Sequence, residues 1–359
     1  MPERISVHGL TVTVERPAAA TRPPVLFVHG YFAAAWVFEP LQRFFAAIGY
    51  PAYAVTLRGH ADSRPVPDRG AVPFAAYVED ALEVARTIAA SHGGGPPIVI
   101  GHSLGGLVAQ KLAESGAVRA AVLICPAPPR GIVLVSWPLY RRLLPYLAAL
   151  LSGRAIVPAR DAADALILNG IPPHERAAMH ARFEPGSGRA ARDILFGVPV
   201  DAARVRCPVL VMSASADRFI PARLARRIAA KYGAPFREYF GRAHMLPAEP
   251  GWETAAREAE HWLDHTLGLG HYDTPGIIRL LELAKQRGKT VTLSFRDGHV
   301  IQAKIISVDF EDPSEVIYEV RSVMEIGPPH LVDVKPGRVA AAPLNEVHDF
   351  EPESERERR

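Results

Sequence analysis

A chain of 359 residues with 48% hydrophobic and 22% charged content has the balance of a globular protein, long enough for one large domain and a small one or for two medium domains. A formal net charge of +3 singles out no charged partner, and the most apolar run, residues 131–151, is broken by Pro138, Arg141, Arg142 and Pro145, which argues against a membrane span. Cys125 and Cys207 make a poor disulfide framework, and the N-terminal Met-Pro-Glu-Arg-Ile lacks the run of a secretion signal, so a cytoplasmic protein is expected.

Residues 5–15 alternate polar and apolar, as an edge strand or hairpin does. Residues 23–28 form a short continuous apolar run, the pattern of a parallel strand buried on both faces, and end in His29-Gly30-Tyr31-Phe32. A helix is expected over 36–48, a strand over 51–57, then the loop Arg58-Gly59-His60-Ala61-Asp62-Ser63 and a helix over 74–91. The β-branched run from Ile98 stops at Gly101-His102-Ser103-Leu104-Gly105, and an Ala-rich helical pattern starts at once. Residues 118–125 are the next strand. Apolar strands alternating with helices point to a parallel sheet with right-handed crossovers.

The alternation stops at residue 130. Residues 130–204 are helical patterns punctuated by Pro and Gly, with no clear strand. The sheet resumes over 208–213, followed by Asp217, a helix over 222–232, a strand over 236–240, Gly241-Arg-Ala-His244 and a last helix over 251–266. The expectation is an α/β core of residues 1–129 and 205–268 with a helical cap, 130–204, inserted at the sheet's carboxyl edge, where ligands bind in open α/β sheets.

After Gly268-Leu-Gly270 the charge balance turns from basic to acidic. A short helix over 275–287 is expected, then strands over 290–295, 300–308 and 316–320. Asp297-Gly298 between the first two is a hairpin signal. A small, strongly bent β-barrel of SH3 or Sm type over 275–345 is expected, with residues 350–359 as a charged, disordered tail.

Gly101-His102-Ser103-Leu104-Gly105 is G-x-S-x-G in a strand–turn–helix context. Glycines are needed there because side chains two residues on either side would collide with the strained turn of the serine. A serine hydroxyl is a weak nucleophile, so it needs a base, and the base needs an orienting acid. Asp217 and His244 each follow an expected strand, in the order Ser, Asp, His. The developing oxyanion needs two N–H donors. The Leu104 amide at the helix start is expected to be one, and the Tyr31 amide in the loop after residues 23–28, ahead of that of Phe32, to be the other. His29 is expected to hold that loop rather than move protons. Phe32, Trp36, His102 and Trp137 are candidates for lining the substrate. Arg141 and Arg142 either meet an anionic head group or form a solvated helix face. No clustered Cys/His spacing and no Gly-rich phosphate loop is present, so no metal or cofactor is expected.

These motifs, with Leu57-Arg-Gly-His-Ala-Asp-Ser63 and Ser213-Ala-Ser-Ala-Asp-Arg-Phe-Ile-Pro221, resemble the α/β-hydrolase superfamily over residues 20–267, and within it the capped esterases, monoacylglycerol lipases and lysophospholipases. The resemblance implies Ser103 as nucleophile, His244 as general base and acid, and Asp217 as orienting acid. It implies a serine hydrolase acting on a hydrophobic carboxylic ester through an acyl-enzyme. Thioesterase, lactonase or C–C bond hydrolase chemistry uses the same triad, and a non-catalytic ligand-binding or scaffold protein is the remaining alternative. Residues 277–310 resemble the first half of an Sm-like domain. The Asn expected after the Asp and a final Ile-Arg-Gly are missing; these positions would carry RNA contacts, and the acidic balance also argues against nucleic acid. The module is expected instead to make a homo-oligomer contact or to buttress the cap.

Overall fold

The computed structural model describes residues 2–133, 141–142, 144–269, 285, 290–295, 300–308, 315–325, 339–343 and 347–352. They divide into two compact units, residues 1–260 and 261–359.

The first unit is built on an eight-stranded sheet of order β1-β2-β4-β3-β5-β6-β7-β8. Strands β1 (Glu3–Val7) and β2 (Leu10–Glu15) form the expected hairpin, turning through His8 and Gly9 at positive φ. Strand β2 also pairs antiparallel with β4 (Ala52–Val55). All other pairings, among β3 (Val25–Val28), β4, β5 (Ile98–His102), β6 (Ala120–Ile124), β7 (Val209–Ala214) and β8 (Phe236–Tyr239), are parallel. Every residue of β3 to β7 is buried, which accounts for their unbroken apolar runs.

Alternate residues of these strands face opposite layers. Leu26, Val28, Val99, Leu123 and Val211 join one cluster with α2 (Phe74–Ser91), α3 (Leu104–Ser115) and the helix Ala222–Tyr232. On the other face Phe27 meets Phe38 and Phe45 at ring-centroid distances of 5.0 and 5.7 Å, under α1 (Glu39–Ala47). A short 3₁₀ turn, Ala35–Phe38, precedes α1 where a single helix is expected. Between β6 and β7 the chain leaves the sheet for α4 (Leu147–Ser152), α5 (Arg160–Leu166), α6 (Arg176–His180) and α7 (Gly188–Phe196). These are short helices tied by an isolated bridge between Ile156 and Gly186. Helix α8 is Ala222–Tyr232, and α9 spans Trp252–Leu267.

The second unit holds an antiparallel sheet of order β12-β11-β10-β9-β13. Strands β9 (Thr290–Phe295) and β10 (Val300–Val308) pair as expected. Their turn, residues 296–299, lies outside the described residues, as does the helix expected over 275–287 apart from helical Lys285. Strand β11 (Glu315–Glu325) is longer than expected, and β12 (Val339–Pro343) and β13 (Val347–Pro352) complete the sheet. Residues 350–352, expected to begin a disordered tail, belong to β13. Phe350, Glu351 and Pro352 lie opposite Leu293, Thr292 and Val291, so pairing with the open edge of β9 overrides the local charge. The described pairings join five strands in a row, and closure into a barrel is not among them.

Phe27 is fully buried between two other rings. Phe27→Ala is expected to cost about 3–5 kcal/mol of stability, read as a lowered urea midpoint followed by tryptophan fluorescence.

Candidate active site

Strand β5 ends at His102 and α3 begins at Leu104, leaving Ser103 between them at φ 55°, ψ −117°. A non-glycine residue there is strained and is held by its surroundings. The glycines beside it are required by close approach, though not to the serine itself. A Cβ on Gly101 would stand 2.2 Å from the Gly105 carbonyl oxygen, and one on Gly105 would stand 2.0 Å from the Val28 carbonyl oxygen. The first turn of α3 therefore packs directly on the end of β3, with no room for a methyl group.

His244 lies on the loop after β8 and Asp217 on the loop after β7. Both side chains converge on Ser103. His244 Nδ1 is 2.8 Å from Asp217 Oδ2, and His244 Nε2 is 3.1 Å from Ser103 Oγ. With the proton on Nδ1 donated to the carboxylate, Nε2 is left to accept the Ser103 hydroxyl. The other carboxylate oxygen, Oδ1, accepts from the Phe219 and Ile220 amides, each at 2.8 Å. All three side chains belong to buried residues. In the loop after β3, the Tyr31 amide donates to no acceptor among the described residues, and the same holds for Leu104 at the start of α3.

Residues 25–258 match the profile of the alpha/beta hydrolase family. The chain belongs to that family. Its fold is similar to that of Paleococcus ferrophilus monoacylglycerol lipase, with a TM-score of 0.53 at 21% identity, covering 73% of this chain and 99% of the other. It is similar to a soluble variant of monoglyceride lipase from Saccharomyces cerevisiae, solved with a substrate analogue (TM-score 0.59, 18% identity, 73% and 95% covered). It is also similar to a thermophilic esterase from Thermogutta terrifontis with malate bound (TM-score 0.56, 18% identity, 74% and 99% covered). Among curated proteins, none matches the chain in sequence.

Histidines brace the hydrolase site from behind. His102 donates Nε2–H to the His244 carbonyl at 2.7 Å, joining the serine turn to the His244 loop. Its Nδ1 is buried without a hydrogen-bond partner. Burial, and then His244, pushes the His102 pKa down to about 3, so the ring is neutral. His29 accepts the Leu57 amide at Nε2 (3.1 Å) and donates Nδ1–H to the Gly30 carbonyl (2.8 Å), fixing its tautomer. Burial, and then His60, brings its pKa to about 3 as well. His29 thus holds the loop, in line with its expected part.

A cavity of about 280 Å³ opens beside Ser103. Tyr31, Phe32 and Leu104 line it near the serine, with Tyr146, Leu150, Ile156 and Ile194 from the block between β6 and β7. Tyr31 Oη donates to the Ser187 carbonyl, tying the loop after β3 to that block. Phe32, a candidate for lining the substrate, is on the cavity wall. Trp36 and His102 are not among the lining residues. Trp36 lies under the Arg182 guanidinium, 4.1 Å from its ring centroid, and His102 is spent on the His244 carbonyl. Trp137 falls outside the described residues.

Two residues beside the site have no role in the sequence reading. Cys125, at the end of β6, adopts φ 44°, and its sulfur lies within 4.8 Å of ligand atoms on both Asp217 and His244. Cys, Asp and His together form a donor set suited to a soft divalent cation. Here, however, burial, and then the charges of Asp217 and Glu249, push the Cys125 thiol pKa up, which keeps the sulfur protonated beside Asp217. Glu249 is buried behind His244, where its Oε2 accepts the Ala243 amide at 2.9 Å and burial raises its pKa. Gly170 leaves the space that its carboxyl fills. No sequence pattern marks either residue, because the contacts join separate elements.

Burial makes His29 and His102 acid-sensitive. Their folded pKa values lie below the ordinary 6.5, so the unfolded chain takes up protons first as pH falls. The stability they protect is fully present above pH 6.5 and is lost from there toward pH 3, by up to about 1.4 kcal/mol per pH unit for each histidine. Melting temperature is expected to fall through this window, and His102→Gln is expected to flatten the fall. An unchanged slope in the variant would contradict a buried, neutral His102.

Proposed function

We propose that the chain is a serine hydrolase that cleaves a carboxylic ester through an acyl-enzyme. The observation that carries this reading is His244 hydrogen-bonded at once to Ser103 and Asp217, with Ser103 opening onto an apolar cavity. Ser103 Oγ attacks the ester carbonyl while His244 Nε2 takes its proton. The oxyanion receives the Tyr31 and Leu104 amides. His244 then returns the proton to the leaving alcohol, and the acyl group stays on Ser103. A water molecule, deprotonated by His244, attacks the acyl-enzyme and releases the carboxylic acid. Asp217 holds the imidazole in the tautomer that leaves Nε2 free and stabilises the imidazolium. Residues 130–204 act as a cap that keeps water from the cavity. The lipase and esterase folds to which this chain is similar are consistent with an ester substrate.

Intact-mass labelling with a fluorophosphonate is expected to add a single adduct to the wild type and none to Ser103→Ala, with ester turnover lost in parallel. Asp217→Asn is expected to lower kcat by about 10³–10⁴-fold with little change in folding. Labelling at another serine, or turnover that survives Ser103→Ala, would remove this reading.

A further inference from the structure

The arrangement at Ser103 is indifferent to which ester enters. The cavity wall is not. It is overwhelmingly apolar, and its two phenols are already engaged. Tyr31 Oη donates to Ser187, and Tyr146 Oη accepts the Ala159 amide at 2.7 Å. Two charged residues are among those lining the cavity, Arg130 and Arg142, and no described Asp or Glu is. Residues 131–140, which follow Arg130 in the chain, contain no charged residue.

Among the described residues, neither guanidinium has a strong partner. Arg130 donates Nε–H to the Gly197 carbonyl at 3.0 Å, and its Nη groups meet no acceptor among the described residues. Arg142 has its nearest carboxylate, Asp161, at 4.0 Å, and that side chain is 83% exposed. An exposed pair at such a distance contributes little and is readily exchanged. Arg141, the immediate neighbour, is not on the wall. Val133, Leu195 and Phe196 lie on the same wall yet are more than half exposed, so this is the cavity's open end. Planar, permanently charged groups beside an apolar wall suit a carboxylate or phosphate bound by paired N–H donors.

We infer that the substrate is an amphiphilic acyl ester carrying one anionic group, carboxylate or phosphate. Arg130 and Arg142 hold that group while the hydrocarbon fills the cavity and the ester reaches Ser103. The inference rests on the ester-hydrolase reading above. The test uses the full chain and three octanoyl-length glycerol esters below their critical micelle concentrations. One is neutral, one carries a phosphate on the glycerol side, and one carries a carboxylate on the terminal carbon of the acyl chain.

At least one anionic ester is expected to exceed the neutral one in kcat/KM by about tenfold or more, the scale of a charge-assisted hydrogen bond. The preferred arm tells on which side of the scissile bond the anion lies. In the double variant Arg130→Gln/Arg142→Gln the ratio is expected to fall toward one. Equal kcat/KM for all three esters, or a preference that the double variant leaves unchanged, would overturn the inference. Fluorophosphonate labelling separates the two failures. A labelled Ser103 without anion preference sinks only the substrate class, whereas an unlabelled protein sinks the hydrolase reading beneath it.

Discussion

The first turn of α3 rests on the backbone of β3, and much of the site depends on that contact. Gly105 can approach the Val28 carbonyl only because it has no Cβ. This closeness leaves the chain a single residue in which to turn from β5 into α3, and Ser103 takes that turn at positive φ. The strain is offset by what surrounds it: the buried strands β3 to β7, and the Ser103 carbonyl accepting from the Gly106, Leu107 and Ala127 amides. The same contact holds the start of α3, with the Leu104 amide, against the end of β3, whose loop carries Tyr31. On the proposed reading, one packing contact therefore bears on the nucleophile and on both oxyanion donors.

The polar groups behind the serine illustrate how a buried site stays polar without becoming unstable. Asp217 accepts from two backbone amides and an imidazole N–H, so its buried carboxylate is held by fixed donors. Cys125 lies beside it, and its thiol stays protonated under burial and so adds no charge. His102 and His29 are kept neutral by the same burial, and each uses its N–H on a backbone carbonyl. A charged side chain in either position would bring an unpaired ion close to His244 and to the oxyanion amides. On the proposed reading, these neutral histidines position the catalytic loops while leaving the electrostatics to Asp217.

Much of this was legible in the sequence because it is local. The apolar runs of β3, β5, β6 and β7 announce burial on both faces, and the G-x-S-x-G turn falls where a strand gives way to a helix. Helices 74–91 and 222–232 follow the 3.6-residue period closely enough for their ends to be read. Asp217 and His244 are legible as residues that follow strands, since parallel strands deliver their carboxyl ends to one edge. Legibility ends where a residue's role depends on a partner far along the chain. Nothing near Cys125 reveals that it faces Asp217, 92 positions later. Trp36 and His102 look like substrate contacts because they flank the site in sequence. Arg182 and the His244 carbonyl, which occupy them instead, come from distant segments. Strand β13 was missed for the same reason, since its pairing with β9 is a non-local backbone match.

The two halves of the first unit are specified by different kinds of sequence. The sheet edge fixes atoms to within a hydrogen bond, and its residues tolerate little substitution. A methyl group at Gly101 or Gly105 has no place to go. The block between β6 and β7 is a set of short helices, tied to the core by contacts that include Tyr31 on Ser187, Ser187 on the Gly70 and Val72 carbonyls, and the Glu184 amide on the Phe32 carbonyl. Its wall toward the cavity can change residue by residue without disturbing Ser103. On the proposed reading, selectivity belongs to this block and reactivity to the sheet. Arg130 and Arg142 are informative in that light. An apolar wall gains nothing in packing from two guanidinium groups with weak protein partners, so their charge at its open end reads as a feature of the ligand rather than of the fold.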